Sequence, residues 1–211
     1  SWLTIGLVDG DGTGQQQTIY VSPSGRNSGI DFASWNLATP LVSTDGAMFF
    51  MDPDDGPSGD VVVAQVTVPA DRISGTVSFG LQGRSTAADA DDYQERVSFV
   101  VTESTATPTP APLTPPPPPV MSETDTAVTV VAVDGVAGWT TVQLTVTLDA
   151  TMDNMYAMAG TSDTTMVFPP AYQVAVPFGA DIGGVSPAFF AIANNAALGF
   201  SEFDSWLTIG V

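Results

Sequence analysis

Five stretches of the chain alternate between apolar and polar residues, or run apolar throughout, and stop at Gly, Pro, Asp or Asn. They are residues 60–69 (DVVVAQVTVP), 75–81 (GTVSFGL), 96–102 (RVSFVVT), 126–133 (TAVTVVAV) and 140–148 (TTVQLTVTL). A period of two sends successive side chains to opposite faces, and the residues are largely β-branched, so the pattern predicts strands. Residues 18–22, 46–51 and the hexapeptide SWLTIG are shorter candidates. Strands at about ten-residue intervals with turn signals between them predict an all-β fold, an antiparallel β-sandwich or jelly roll. Residues 154–159 and 188–198 read instead as short helical pieces. Met152, Met155 and Met158 have helical spacing, which suits a core-facing stripe better than a cofactor box.

SWLTIG occurs twice, at residues 1–6 and 205–210, a period of 204 residues. Leu7 follows the first copy and Val211 the second, so the copies belong to neighbouring, non-identical units. The chain reads as one period of a tandem array, cut from a longer protein. Between residues 104 and 122, eight of nineteen positions are proline and none is charged. That composition predicts a polyproline II linker that cannot pack a core. At about 3.1 Å per residue, positions 107–120 would span roughly 40 Å. The expected organisation is a β-rich part of one bead at 1–103, the linker at 104–122, and a β-rich part at 123–211 continuing into the next repeat's equivalent of 1–103. The exception would be flanks that close on each other.

Composition narrows the chemistry. With 211 residues and 44% apolar content the chain can bury a sizeable core. Its 23 acids face 4 arginines, for a net charge of −19, which makes nucleic acid and anionic membrane poor partners. Lysine, histidine and cysteine are absent. Disulfides, thiolate or imidazole metal sites, Ser/His/Asp triads and P-loop lysines go with them. Carboxylates and tyrosine remain for acid–base work. Residues 182–201 carry no charge and have the length of a bilayer span, but Gly183, Gly184, Pro187, Asn194 and Asn195 interrupt them and no basic residue flanks them. No membrane insertion is expected.

Acidic loops are the candidate sites. Asp9, Asp11 and Thr13, interleaved with glycines, suit an oxygen-lined Ca²⁺ loop, although Tyr20 stands where an EF-hand places glutamate. Asp52, Asp54, Asp55 and Asp60 offer the same hard-oxygen chemistry, as do Asp89, Asp91, Asp92 and Glu95. The alternative is that Asp and Gly simply make solvated turns. A glycosidase built from two carboxylates stays open by composition, yet these acids lie in Gly/Pro-rich turns, and the chain reads as non-catalytic. Trp2, Trp35, Trp139 and Trp206 suit sugar stacking or, more simply, core burial. Arg26, Arg72, Arg84 and Arg96, outnumbered by acids, are expected in carboxylate networks.

Several segments together carry a resemblance: PAYQ at 170–173, PFGA at 177–180, ANNAALG at 193–199, EFDSWLTIG at 202–210 and GIDFASW at 29–35. They resemble a repeated module of large secreted proteins of marine microalgae and other protists, over nearly all the chain outside the linker. The linker is similar to the hydroxyproline-rich spacers of algal wall and flagellar-hair (mastigoneme) glycoproteins. The resemblance implies an extracellular location, at a cell or flagellar surface, and tandem architecture; it brings no catalytic residues. It also implies O-linked glycans on Pro115, Pro116, Pro117, Pro118, Pro119, Thr107, Thr109 and Thr114, since the chain holds no N-x-S/T sequon. The function expected is a structural repeat of an extracellular fibre whose partners are neighbouring copies of itself. The alternative is a Ca²⁺- or glycan-binding adhesion module.

Overall fold

The computed structural model describes residues 19–21, 29–72, 74–86, 92–102, 124–175, 177–195 and 197–210. Every valine-rich stretch singled out above is a strand. The strands are β1 (Ile19–Val21), β2 (Leu41–Ser43), β3 (Gly46–Phe50), β4 (Asp60–Pro69), β5 (Ser74–Gly83), β6 (Tyr93–Thr102), β7 (Asp125–Val133), β8 (Trp139–Thr147), β9 (Ala157–Gly160), β10 (Met166–Phe168) and β11 (Trp206–Leu207). They form two antiparallel sheets. One has the order β1-β3-β9-β5-β10-β2 with β6 on the other edge of β5, and the second is β11-β4-β8-β7. Valines from β4 and β8 meet phenylalanines and methionines of the larger sheet in a single core, so the fold is an all-β sandwich.

β4 shows how the pattern works. Val61 and Val63 face the core, and so do Ala64, Val66 and Val68, a change of parity that a continuous strand cannot make. A bulge between Val62 and Ala64 against β8 inserts the extra residue. Gln65 and Thr67 then point away from the core, yet both are buried. The C-terminal segment covers them. Gln65 Nε2 donates to the carbonyls of Glu202 (3.0 Å) and Asp204 (2.9 Å), and Thr67 Oγ1 lies 2.8 Å from Thr141 Oγ1.

The two flanks of the Pro-rich segment close on each other. β4 pairs with β8 from Asp60↔Thr147 to Pro69↔Trp139, while β9 and β10 enter the sheet of the first flank. β6 and β7, the strands on either side of residues 103–123, run in the same direction. Thr102 pairs with Ser74, just after the end of β4, whereas Asp125 pairs with Thr147 beside the start of β4. The connection therefore begins and ends at opposite ends of one sandwich. Nine residues of β7 at about 3.3 Å each put those ends roughly 30 Å apart.

Two helix expectations change. Residues 154–159 are extended and lead into β9, because Met158 fills a slot between Met48 of β3 and Leu81 of β5 and each side offers a ladder of hydrogen bonds. Met152, Met155 and Met158 do line the core, without a helix. The 188–198 stretch is helical only in α1 (Pro187–Ala193). There Asn195 Oδ1 accepts from the N–H groups of Ala197 (3.0 Å) and Leu198 (3.1 Å), a turn that competes with a further helical one. Among the described residues no helix is long and apolar enough to cross a membrane.

Phe79 is fully buried, with ring centroids 6.1 Å from Phe99 and 6.2 Å from Phe168. Phe99 lies before the Pro-rich segment and Phe168 after it, so one ring joins the two flanks. Phe79→Ala is expected to cost about 3–5 kcal/mol while unfolding stays a single transition. Urea melts followed by tryptophan fluorescence and by far-UV circular dichroism should coincide; separate transitions for the two flanks would contradict the shared core.

Candidate functional site

The acidic turn after β3 is organised by its own hydrogen bonds. Asp52 Oδ1 accepts from the Asp54 N–H (3.1 Å), capping the 3-10 turn Pro53–Asp55. Asp54 turns to Arg84, whose Nε donates to its Oδ1 at 2.8 Å. Asp55 is exposed on the same turn. Asp60 is engaged on β8, accepting from Thr147 Oγ1 at 2.7 Å. Among the described residues no group of three acids is placed to hold a metal ion. Asp9, Asp11, Thr13, Asp89 and Asp91 lie outside the described residues. So do the proposed glycan positions Thr107, Thr109, Thr114 and Pro115 to Pro119.

Arg84 joins this turn to the start of β6. Its Nη1 donates to Asp92 Oδ1 (2.9 Å), Tyr156 Oη donates to Asp92 Oδ2 (2.9 Å), and the guanidinium lies 5.9 Å from the centre of the Tyr156 ring. The Arg84 bond, then the Tyr156 bond, hold the Asp92 carboxyl below the usual carboxylate range. Beneath them Asn154 is buried and ties three elements together. Its Oδ1 accepts from the Arg84 N–H (3.1 Å), its Nδ2 donates to Pro53 O (2.9 Å), and its carbonyl accepts from Tyr93 Oη (2.5 Å). Burial pushes the Tyr93 phenol above its ordinary range. Arg84 is thus in the carboxylate network that the charge ratio predicts. Arg26 and the Arg72 side chain lie outside the described residues, and Arg96 borders a shallow depression.

That depression, about 240 Å³, lies on the outer face of β5, β6 and β9 among Gly80, Gln82, Gln94, Arg96, Thr161 and Thr164. Glu95 is the single carboxylate in its lining, against the two that glycoside hydrolysis uses. The tryptophans are elsewhere. Trp35 is 2% exposed and donates from Nε1 to Pro169 O (2.8 Å), Trp206 is buried, and half-buried Trp139 packs on Tyr172 at 5.9 Å. Trp2 lies outside the described residues.

The most completely built constellation is the second SWLTIG copy. Trp206 and Leu207 pair with Gln65 and Ala64 on the edge of β4. On its other side the segment meets residues 181–183: the Leu207 N–H donates to Asp181 O (3.0 Å) and the Gly183 N–H to Leu207 O (2.8 Å). The Thr67 N–H donates to Ser205 Oγ (2.9 Å), the Thr208 N–H to Val63 O (2.9 Å) and the Gly210 N–H to Val62 O (2.9 Å). Ser205, Trp206, Leu207, Thr208 and Ile209 are all buried. Gly184, at φ +71°, lies flush against the indole; a Cβ there would sit 2.5 Å from Trp206 Nε1. The first copy, residues 1–6, lies outside the described residues.

Asp204 anchors this strand, and the sequence reading missed it. The carboxylate is 1% exposed; Oδ1 accepts from the N–H groups of Val174 (2.7 Å) and Ser205 (3.1 Å), and Oδ2 from that of Ala180 (2.8 Å). Burial pushes it up to about 7, outweighing the three N–H donors, and nearby Asp181 adds repulsion. An acid set directly against the uncharged run SWLTIG was the available signal.

Two outcomes follow from this geometry. Asn154→Ala should cost about 1–3 kcal/mol, because it leaves the Arg84 N–H and Pro53 carbonyl without their partner, and a thermal melt checks it. Asp204 binds its proton more tightly folded than unfolded, so its contribution to stability is full below pH 3.8 and is lost as pH rises to about 7. Asp204→Asn, whose amide turns one donor toward a backbone N–H, should therefore be less stable than the parent at pH 4, with the gap narrowing by pH 7.5; a constant gap would refute the assignment. Compared with protein-family models, curated proteins and solved structures, the chain matches none.

Proposed function

We propose that the chain is a non-catalytic structural repeat of an extracellular glycoprotein fibre or surface appendage, of the flagellar-hair kind, whose partners are neighbouring copies of itself. The observation that carries this reading is the double hexapeptide. One SWLTIG completes the sandwich as β11, and the chain has two. A sequence that repeats a structural strand at intervals of 204 residues suits an array of beads. The Pro-rich segment joins two strands of one sandwich, so O-linked glycans at Pro115 to Pro119, Thr107, Thr109 and Thr114 would clothe each bead along its side. They would supply the hydrophilic cover that an uncharged stretch lacks. The shallow depression beside Arg96, with its glutamine and threonine lining, favours a second reading, a glycan-binding adhesion module.

Mass spectrometry of residues 104–122 from the native source should show hydroxylated, glycosylated proline and threonine; an unmodified mass would overturn the surface-fibre reading. Calorimetric titration with oligosaccharides separates the two proposals. Heat that disappears in Arg96→Ala would support the adhesion module, and its absence would leave the structural repeat.

A further inference from the structure

We propose that the β4 edge is an acceptor for the N-terminal hexapeptide of a second copy, so that copies join by strand transfer. The inference deepens the repeat reading and rests on it for its purpose, though its physical basis is separate. Most of the contacts that hold β11 in place belong to hexapeptide atoms; Asp204, just before it, adds bonds to Val174, Ala180 and Gln65. The pairing with β4 and with residues 181–183 is made by backbone groups of Leu207, Thr208 and Gly210, the hydroxyl bond by Ser205, and the buried volume by Trp206, Leu207 and Ile209. Thr208 Oγ1 donates to Gly210 O (2.8 Å), an internal brace that stays inside the same six residues. Residues 1–6 have the identical sequence. A segment with the same side chains in the same order can therefore make the same ladder, fill the same space and press its indole on Gly184.

The acceptor also has the features that distinguish a built slot from a bare sheet edge. It is walled on both sides, by β4 and by residues 181–183. Among the described residues there is one such slot, and the hexapeptide, its key, occurs twice in the sequence. The attached key wins within a lone chain, because tethering gives it an effective concentration in the millimolar range. A second molecule's hexapeptide enters when that key is disabled. The contact joins unlike surfaces, a hexapeptide and a slot, so it can chain head to tail or close by reciprocal exchange.

The test disables the resident key in the full-length chain. Trp206→Ala with Leu207→Asp should empty the slot. Sedimentation velocity is expected to show dimers and larger species of this double variant, returning to monomer when Leu3→Asp is added. A labelled synthetic SWLTIG peptide should bind the double variant and raise its melting temperature, and a Leu→Asp peptide should bind at least about thirtyfold more weakly. Should the double variant be unfolded alone, the peptide is expected to restore its cooperative far-UV transition. Absence of any peptide effect on melting or refolding would overturn the proposal, as would association indifferent to Leu3→Asp or a monomer whose melting depends on Leu3. The failures are distinguishable. An unmodified Pro-rich peptide removes the surface-fibre reading and leaves strand transfer intact, whereas a silent peptide beside a glycosylated linker removes strand transfer alone.

Discussion

β4 is the strand on which the rest depends. It has neighbours on both edges, β8 and β11, and cover on both faces, the core on one and the C-terminal segment on the other. A strand enclosed in this way cannot leave backbone or side-chain polar groups to water, so each must find a protein partner. Gln65 and Thr67 are polar on the outer face for that reason; the chain's end answers the Gln65 amide and Thr141 of β8 the Thr67 hydroxyl. The bulge at Val62/Ala64 follows from the same constraint, because five apolar side chains must reach one core while two polar ones reach the cap.

Long strands were legible because their local pattern and their environment agree. Residues 60–69 have the same bounds in sequence and structure, and β7 and β8 shift by a residue at their ends. The three-residue strands β2 and β10 were not legible, since nothing local marks them; Leu41–Ser43 and Met166–Phe168 are extended because each gives the other a partner. Residues 154–159 misled for the opposite reason. Methionine is a good helix former and its spacing fits, but the ladder offered by β3 and β5 outweighs the few tenths of a kcal/mol per residue that propensity supplies. Asp204 escaped notice among many acids because its burial depends on Val174 and Ala180, distant in sequence from the strand it holds.

The charge pattern has a physical economy. With four cations for the whole chain, carboxylates are held mainly by N–H and O–H donors. Asp52, Asp149 and Asp204 accept from backbone N–H groups, and Asp60 from a threonine hydroxyl. Arg84 is placed where one guanidinium serves two acids from separate loops. The net charge of −19 makes copies repel one another at long range. The proposed contact between copies avoids this repulsion, because the hexapeptide is uncharged and residues 205–209 are buried where they are described.

The Pro-rich connection starts and finishes on a single core. Were such units joined in an array, tension would run from bead to bead through sheet ladders and packed side chains, since both flanks of the Pro-rich segment belong to the same sandwich. The segment's length could change without altering the axial spacing of the beads. In the proposed fibre, insertions there would add girth and leave the pitch unchanged, and girth and period would then be encoded in different parts of the chain.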